Sequence, residues 1–224
     1  MNTTNIYYHL YCVNNSYMMF LNAIDKIVNN GLYEKTSKIY CNLVGEKTEY
    51  FIEILSNKFK EEKKIILLKN IDDSGEGCTL NLIHKHSQIQ TGYKILYLHS
   101  KGATFNKERQ KTNPLCTNEF AEQWTNRMLD YLVVNYKSCF QNLKEKETDG
   151  IDFNNEPLPH YSGNFWWANS SYIKSLKSYS EFYFSKEEYY DYRKLSEKDR
   201  TRPMFTTDSN RMLAEYWLCS KLKV

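Results

Sequence analysis

The sequence predicts an α/β fold built on a largely parallel sheet with helices on both faces. Two observations carry that expectation. Short β-branched and aromatic runs alternate with segments of helical periodicity, giving β-α-β-α-β within the first seventy residues. The run at 64–68 is apolar at every position after its lysine, as a strand covered on both faces would be. No linker or internal repeat divides the 224 residues, so a single domain spanning 1–224 is expected.

The elements follow in order. Residues 5–13 read as a strand, and Asn14-Asn15-Ser16 as a turn able to start a helix. Phe20, Leu21, Ile24, Ile27 and Val28 recur at helical spacing until Gly31 stops the helix. Residues 38–44 form a second strand. Residues 48–62 form a helix with Phe51, Ile54, Leu55 and Phe59 on one face, and 64–68 a third strand. A polar loop at 70–77 leads to a short helix through Leu80 and Ile83 to Gln88. The fourth strand, 94–98, is apolar and ends in His99-Ser100-Lys101-Gly102. One long helix is expected over 118–144, late strands at 150–153 and 160–168, a short helix at 170–176, and an amphipathic helix at 209–221.

Composition narrows the function. Thirty basic and 27 acidic residues leave a formal charge of +3, too balanced for a nucleic-acid binder that works through a concentrated basic face. No stretch approaches the roughly 20 apolar residues of a transmembrane segment, and the N-terminus lacks the order of a signal peptide. A soluble, cytoplasmic protein is expected. The six cysteines are scattered without a CxxC or CxH pair, which points to reduced structural thiols rather than a zinc site.

In an open α/β sheet, ligands bind beyond the carboxyl ends of the strands. Three such ends carry polar residues: His9 to Asn15 after the first strand, 70–76 after the third, and 99–102 after the fourth. In the last, His99, Ser100 and Lys101 emerge in succession, and Gly102 permits close backbone approach. An ammonium, a hydroxyl and exposed amides suit a diphosphate; an ordinary polar turn is the plainer alternative. No GxxxxGK[ST] or GxGxxG is present.

The run from His160 to Ala168 holds adjacent Trp166 and Trp167 just after Gly163-Asn164. Neighbours on a strand face opposite ways, so one indole is expected in the core and the other in a cleft, where with Asn164 it would hold a sugar. Two core indoles are the alternative. Asp72 and Asp73 share a loop, either as metal-binding or general-base carboxylates or simply as solvated acids. Arg211 and Glu215 stand at i,i+4 on the last helix. They form either a surface ion pair or, if the helix lines the cleft, a phosphate partner and a base.

Several segments together resemble a known group. "NIYYHLYCVNN", "NGLYEKTSKIYCNLVG", "KILYLHSKGAT" and above all "PHYSGNFWWANSSYIKSL" are similar to GT-A-fold glycosyltransferases of large DNA viruses and bacterial polysaccharide loci. Among them is the N-terminal glycosyltransferase domain of a chlorella virus multidomain protein. The closing "RMLAEYWL" is similar to the Arg/Glu-containing helix that ends that domain. The likeness runs from residue 5 to about 220 and is most specific at "SGNFWWA".

The resemblance implies a GT-A-like single domain with a mixed, mostly parallel sheet. It also implies transfer of a sugar from a nucleotide-sugar, a UDP-sugar by expectation, to a glycan acceptor. By that likeness His9, Tyr11 and Asn14 hold the nucleotide, with His99, Ser100, Gly102 and Arg211 on the diphosphate side. Asn164, Trp166 and Trp167 would meet the acceptor and the transferred sugar. Many relatives carry a metal-binding DxD where this chain has His99-Ser100-Lys101. The leaving diphosphate is then neutralised by Lys101 and His99, or by Mn2+ or Mg2+ held with Asp72, Asp73 or His160. Glu215 or Asp208 would be the base of an inverting route. A viral member would act in the host cytoplasm. Two other classes remain: a non-catalytic carbohydrate-binding domain on the same fold, and an interaction protein using the tyrosine-rich 178–202 region.

Overall fold

The computed structural model describes residues 3–13, 15–70, 75–103, 117–155, 159–182 and 209–221; for Asn118 and for residues 209–212 it describes the backbone only. Its centre is a six-stranded mixed sheet. Strand β1 (Thr4–Tyr11) pairs in parallel with β2 (Thr36–Val44) on one side and β4 (Lys94–His99) on the other, and β2 pairs in parallel with β3 (Ile65–Lys69). Beyond β4 lie β8 (Trp166–Asn169), antiparallel to it, and then β5 (Thr148–Gly150), giving the order β3-β2-β1-β4-β8-β5. The chain thus winds outward in one direction from β1 to β3 and restarts on the other side at β4.

Alternation along the central strands sorts the core into two layers. Ile6, Tyr8 and Leu10 of β1 and Leu96 and Leu98 of β4 pack with Phe20, Ile24 and Ile27 of helix α1 (Ser16–Asn29) and with Phe51 and Leu55 of α3 (Thr48–Lys58). Between those two helices runs the single turn α2 (Leu32–Lys35). Tyr7, Ile95 and Tyr97 point the other way. They meet Leu80 and Ile83 of α4 (Gly77–Ile89) and Trp217 at the end of the last helix (Ser209–Trp217). Each such fully buried aliphatic side chain contributes about 1.5–3 kcal/mol of transfer free energy. A central strand buried on both faces is therefore the sheet's anchor. The third strand departs from expectation. It is the edge of the sheet and its residues Ile65 to Leu68 are only half-buried.

Three other elements differ from the sequence reading. The expected strand at 150–153 is split between the end of β5 and the start of β6 (Phe153–Asn154), which belong to different sheets. The expected helix over 118–144 is α5 (Asn118–Leu129), a π turn at Asp130–Val134, and α6 (Tyr136–Asn142). In the π turn Asn135 N–H donates to the Asp130 carbonyl, and the Leu132 carbonyl accepts from the Trp167 indole at 2.9 Å. The expected strand at 160–168 is broken in two. Gly163 (φ 91°) and Asn164 (φ 55°) are left-handed, a conformation Gly and Asn adopt at least cost, and they turn the chain between β7 (His160–Tyr161) and β8. β7 pairs instead with β6 (Phe153–Asn154) in a small separate ladder. The short helix α7 (Ser170–Ser175) follows β8 directly, and Ser209–Trp217 is α8.

Cys12, Cys41, Cys139 and Cys219 are buried free thiols and Cys78 is a partly buried one; Cys116 lies outside the described residues. No helix among the described residues is long and apolar enough to cross a membrane.

Candidate functional site

The antiparallel direction of β8 shapes the site. Tyr97 pairs with Trp166, so the residues before Trp166 run past the carboxyl end of β4. Gly163, Asn164 and Phe165 therefore share an edge of the sheet with His9, His99, Ser100 and Lys101. The amino end of α4 reaches the same edge, carrying Glu76 just ahead of its first turn.

Hydrogen bonds tie the ends of β1 and β4 together. Ser100 N–H donates to the His9 carbonyl at 3.0 Å, and Ser100 Oγ accepts from Tyr11 N–H at 2.9 Å. The Ser100 hydroxyl thereby helps to hold the two strand ends together. The half-buried Tyr11 ring packs on Gly45, where an added Cβ would stand 3.2 Å from Tyr11 Cε2. His9 is buried with Nδ1 2.9 Å from Thr79 Oγ1, and that hydroxyl also accepts from Asn42 Nδ2 at 2.9 Å. Gly102, with φ 80°, turns the chain directly after Lys101.

His99 donates from Nε2 to the Gly163 carbonyl at 2.8 Å and stands edge-on to Phe165. Burial pushes its pKa down to about 4. Glu76 pulls it up, Lys101 presses it down, the Gly163 carbonyl pulls it up and His9 presses it down. The imidazole is therefore neutral at neutral pH, and its 4.0 Å approach to Glu76 is not an ion pair there.

Glu76 is the hub of the cluster. Its Oε2 accepts from Tyr97 Oη at 2.9 Å and from Asn164 Nδ2 at 2.6 Å. Asn164 Oδ1 in turn accepts from the Trp166 indole at 2.9 Å. Burial opposes ionisation of Glu76, but its interactions with His99, His9 and Lys101 and the Tyr97 hydroxyl together outweigh it. They hold the carboxyl below its usual range. Burial, with Glu76 beside it, pushes the Tyr97 phenol well up, so it stays a neutral donor.

The Lys101 ammonium lies 3.7 Å from Glu215 Oε1 and 4.8 Å from the Trp124 ring centroid. The side chains of the pair are only 7% and 13% exposed. The charges are drawn into the protein, yet their separation is longer than a hydrogen bond. An anion entering here would meet a buried cation whose ion pair among the described residues is longer than a hydrogen bond.

The structure brings together His9, Tyr11, His99, Ser100, Lys101, Gly102 and Asn164, with Glu215 from the last helix against Lys101. It corrects the expectation for the tryptophans. Trp166 and Trp167 face opposite layers as alternation requires, but both are buried, at 1% and 0% exposure. Strand β8 is internal to a sheet covered on both sides, so neither indole presents a face to a cleft. His160 is buried edge-on to Tyr216. No group of three or more His, Cys, Asp or Glu among the described residues is arranged to hold a metal. Asn14, Asp72, Asp73 and Asp208, and the Arg211 side chain, lie outside the described residues.

Glu76 and Tyr97 were not singled out from the sequence. Tyr97 carries a readable signal, since strand period two puts it on the same face as His99. Glu76 carries only its position next to a helix start. A family model described as a domain of unknown function (DUF8361) matches residues 7–224. No curated protein matches the chain.

Proposed function

The chain belongs to the DUF8361 family, a domain of unknown function, and we propose from the chemistry of its site that it is a nucleotide-sugar-dependent glycosyltransferase. It transfers a sugar, from a UDP-sugar donor, to a glycan acceptor on a GT-A-like fold. The observation that carries this reading is the convergence of His9, Glu76, His99 and Lys101 where the strand order reverses between β1 and β4. Such switch points are where open α/β sheets bind ligands.

As the bond from the sugar's anomeric carbon to the diphosphate oxygen breaks, negative charge grows on the leaving group. Lys101 is placed to neutralise it, turning from Glu215 toward the phosphates. On an inverting course Glu215, released from that pairing, takes the proton of the acceptor hydroxyl. The Lys101 ammonium is no ligand for a divalent cation, and Asp72 and Asp73, the carboxylates the sequence offered for one, lie outside the described residues.

The test is a thermal-shift screen of UDP and UDP-sugars, followed by an assay for UDP release with acceptor oligosaccharides, with and without EDTA. Stabilisation by UDP together with acceptor-dependent release supports the reading. Absence of any nucleotide effect on melting overturns it.

A further inference from the structure

We propose that Glu76 is the carboxylate that binds hydroxyl groups of the transferred sugar, and that Trp166 acts through Asn164 to aim it. This rests on the glycosyltransferase reading and names the residue that recognises the sugar. The sequence offered the tryptophans as the sugar platform; the structure moves recognition to a carboxylate that one of them supports.

The geometry is that of a prepared acceptor. Among the described residues, both hydrogen bonds to Glu76 go to Oε2, from Tyr97 Oη and Asn164 Nδ2. Oε1 accepts no hydrogen bond from a described residue. The donors to Oε2 are themselves fixed. Tyr97 is fully buried in β4, and the Trp166 indole N–H holds the Asn164 amide with its oxygen toward the indole and its nitrogen toward Glu76. A flipped amide would bring two donors together at the indole and two acceptors at the carboxylate, so the relay has one direction. The left-handed turn at Asn164 carries the amide from the core to the strand-end edge.

The charges around Glu76 select the ligand. Its own negative charge repels phosphate, and Lys101 nearby disfavours a second cation. Neutral hydroxyl donors remain, and hydrogen bonds from them to an ionised carboxylate are among the stronger neutral–charged contacts. Glu76 shares the β4 side of the crevice with Lys101, where the diphosphate ends. The group attached there, on the side away from the nucleoside, is the transferred sugar.

Calorimetric titration of the whole protein with UDP, UDP-glucose, UDP-galactose and UDP-N-acetylglucosamine tests this. The wild type should bind one of the sugar nucleotides more tightly than UDP. Glu76→Gln preserves the shape and an acceptor for Tyr97. It should weaken that sugar nucleotide about 10- to 100-fold while UDP changes less than about twofold. Asn164→Asp keeps the acceptor for Trp166 and tolerates the left-handed turn, but sets a second carboxylate against Glu76. In this variant the loss of sugar-nucleotide affinity on acidification should begin at higher pH than in the wild type, which a purely structural role would not produce. Unchanged sugar-nucleotide binding in Glu76→Gln overturns the role of Glu76 and leaves the glycosyltransferase reading standing. Equal losses for UDP and its sugar conjugates overturn the assignment to the transferred sugar, since the contact would then be to the ribose. A wild type that binds neither UDP nor any conjugate overturns both.

Discussion

The Lys101 ammonium and the Glu215 carboxylate stand 3.7 Å apart, joining the turn after β4 to the last described helix. The Trp124 ring flanks the ammonium at 4.8 Å. Under the proposed function, the pair gives the cation a resting partner until the leaving diphosphate draws it away. Under the proposed function, Lys101→Ala lowers kcat about 10²–10³-fold with a smaller effect on donor KM. Lys101→Arg keeps the charge with different geometry and restores only part of the rate. Steady-state kinetics on the three proteins decide it. Near-normal kcat in Lys101→Ala, coupled with loss of activity in EDTA, would transfer the role to a metal ion.

Stability should fall on acidification through His99. Folded His99 titrates at about 4 against an ordinary 6.5. Its folded pKa is depressed, so the unfolded chain binds more protons between those values. The stabilisation is full above about pH 6.5, declines as pH falls toward about 4, and is on the order of 3 kcal/mol in total. Burial depresses His86 in the same direction, and Glu76, held below its usual range, extends the decline further into acid. Urea unfolding across this range should give a shallower pH dependence for His99→Gln than for the wild type. Parallel curves would mean that His99 titrates normally in the folded protein.

The two tryptophans should behave alike in stability. Trp166→Ala and Trp167→Ala each cost about 3–5 kcal/mol, because each empties a buried site in its own layer. Trp167→Phe additionally leaves the Leu132 carbonyl in the π turn without its indole donor, at about 1–3 kcal/mol. Chemical denaturation measures all three. A loss well under about 1 kcal/mol for either alanine variant would show that its ring is not part of the core.

Gly163→Ala should be costly for two separate reasons. The new Cβ would meet Met128 Sδ at 2.8 Å, and the residue keeps φ at 91°. A methionine end can give way, but the left-handed backbone cannot relax without moving the carbonyl that His99 uses. A loss of about 1–3 kcal/mol is expected, with a change in the His99 ring resonances. An unperturbed His99 spectrum would dissociate the turn from the imidazole.

The order of strands and helices was legible because period two and helical spacing are local signals that Ile6 to Leu10, Phe20 to Ile27 and Leu96 to Leu98 carry cleanly. What escaped were interruptions. The break at Gly163-Asn164 hides inside an otherwise strand-like run, and the π turn at Asp130–Val134 leaves the spacing of apolar residues almost unchanged. The edge position of Ile65–Lys69 depends on strand order, which no single segment encodes. In the site, His99, Lys101, Asn164 and Glu215 were legible as chemistry-bearing residues beside recognisable element ends. Glu76 was not. A carboxylate acquires its meaning from Tyr97 and Asn164, which reach it from two other strand ends.

The spacing between Asn164 and Trp166 works as a ruler between crevice and core. One inserted residue there would exchange the layers entered by the two indoles while moving Asn164 away from Glu76. Length variation in this segment is therefore barred on both counts, and loops remote from it must absorb any that relatives show. The same ruler joins the strand-end cluster to the buried centre of the sheet. Under the proposed function, activity on heating should accordingly be lost together with global melting rather than before it.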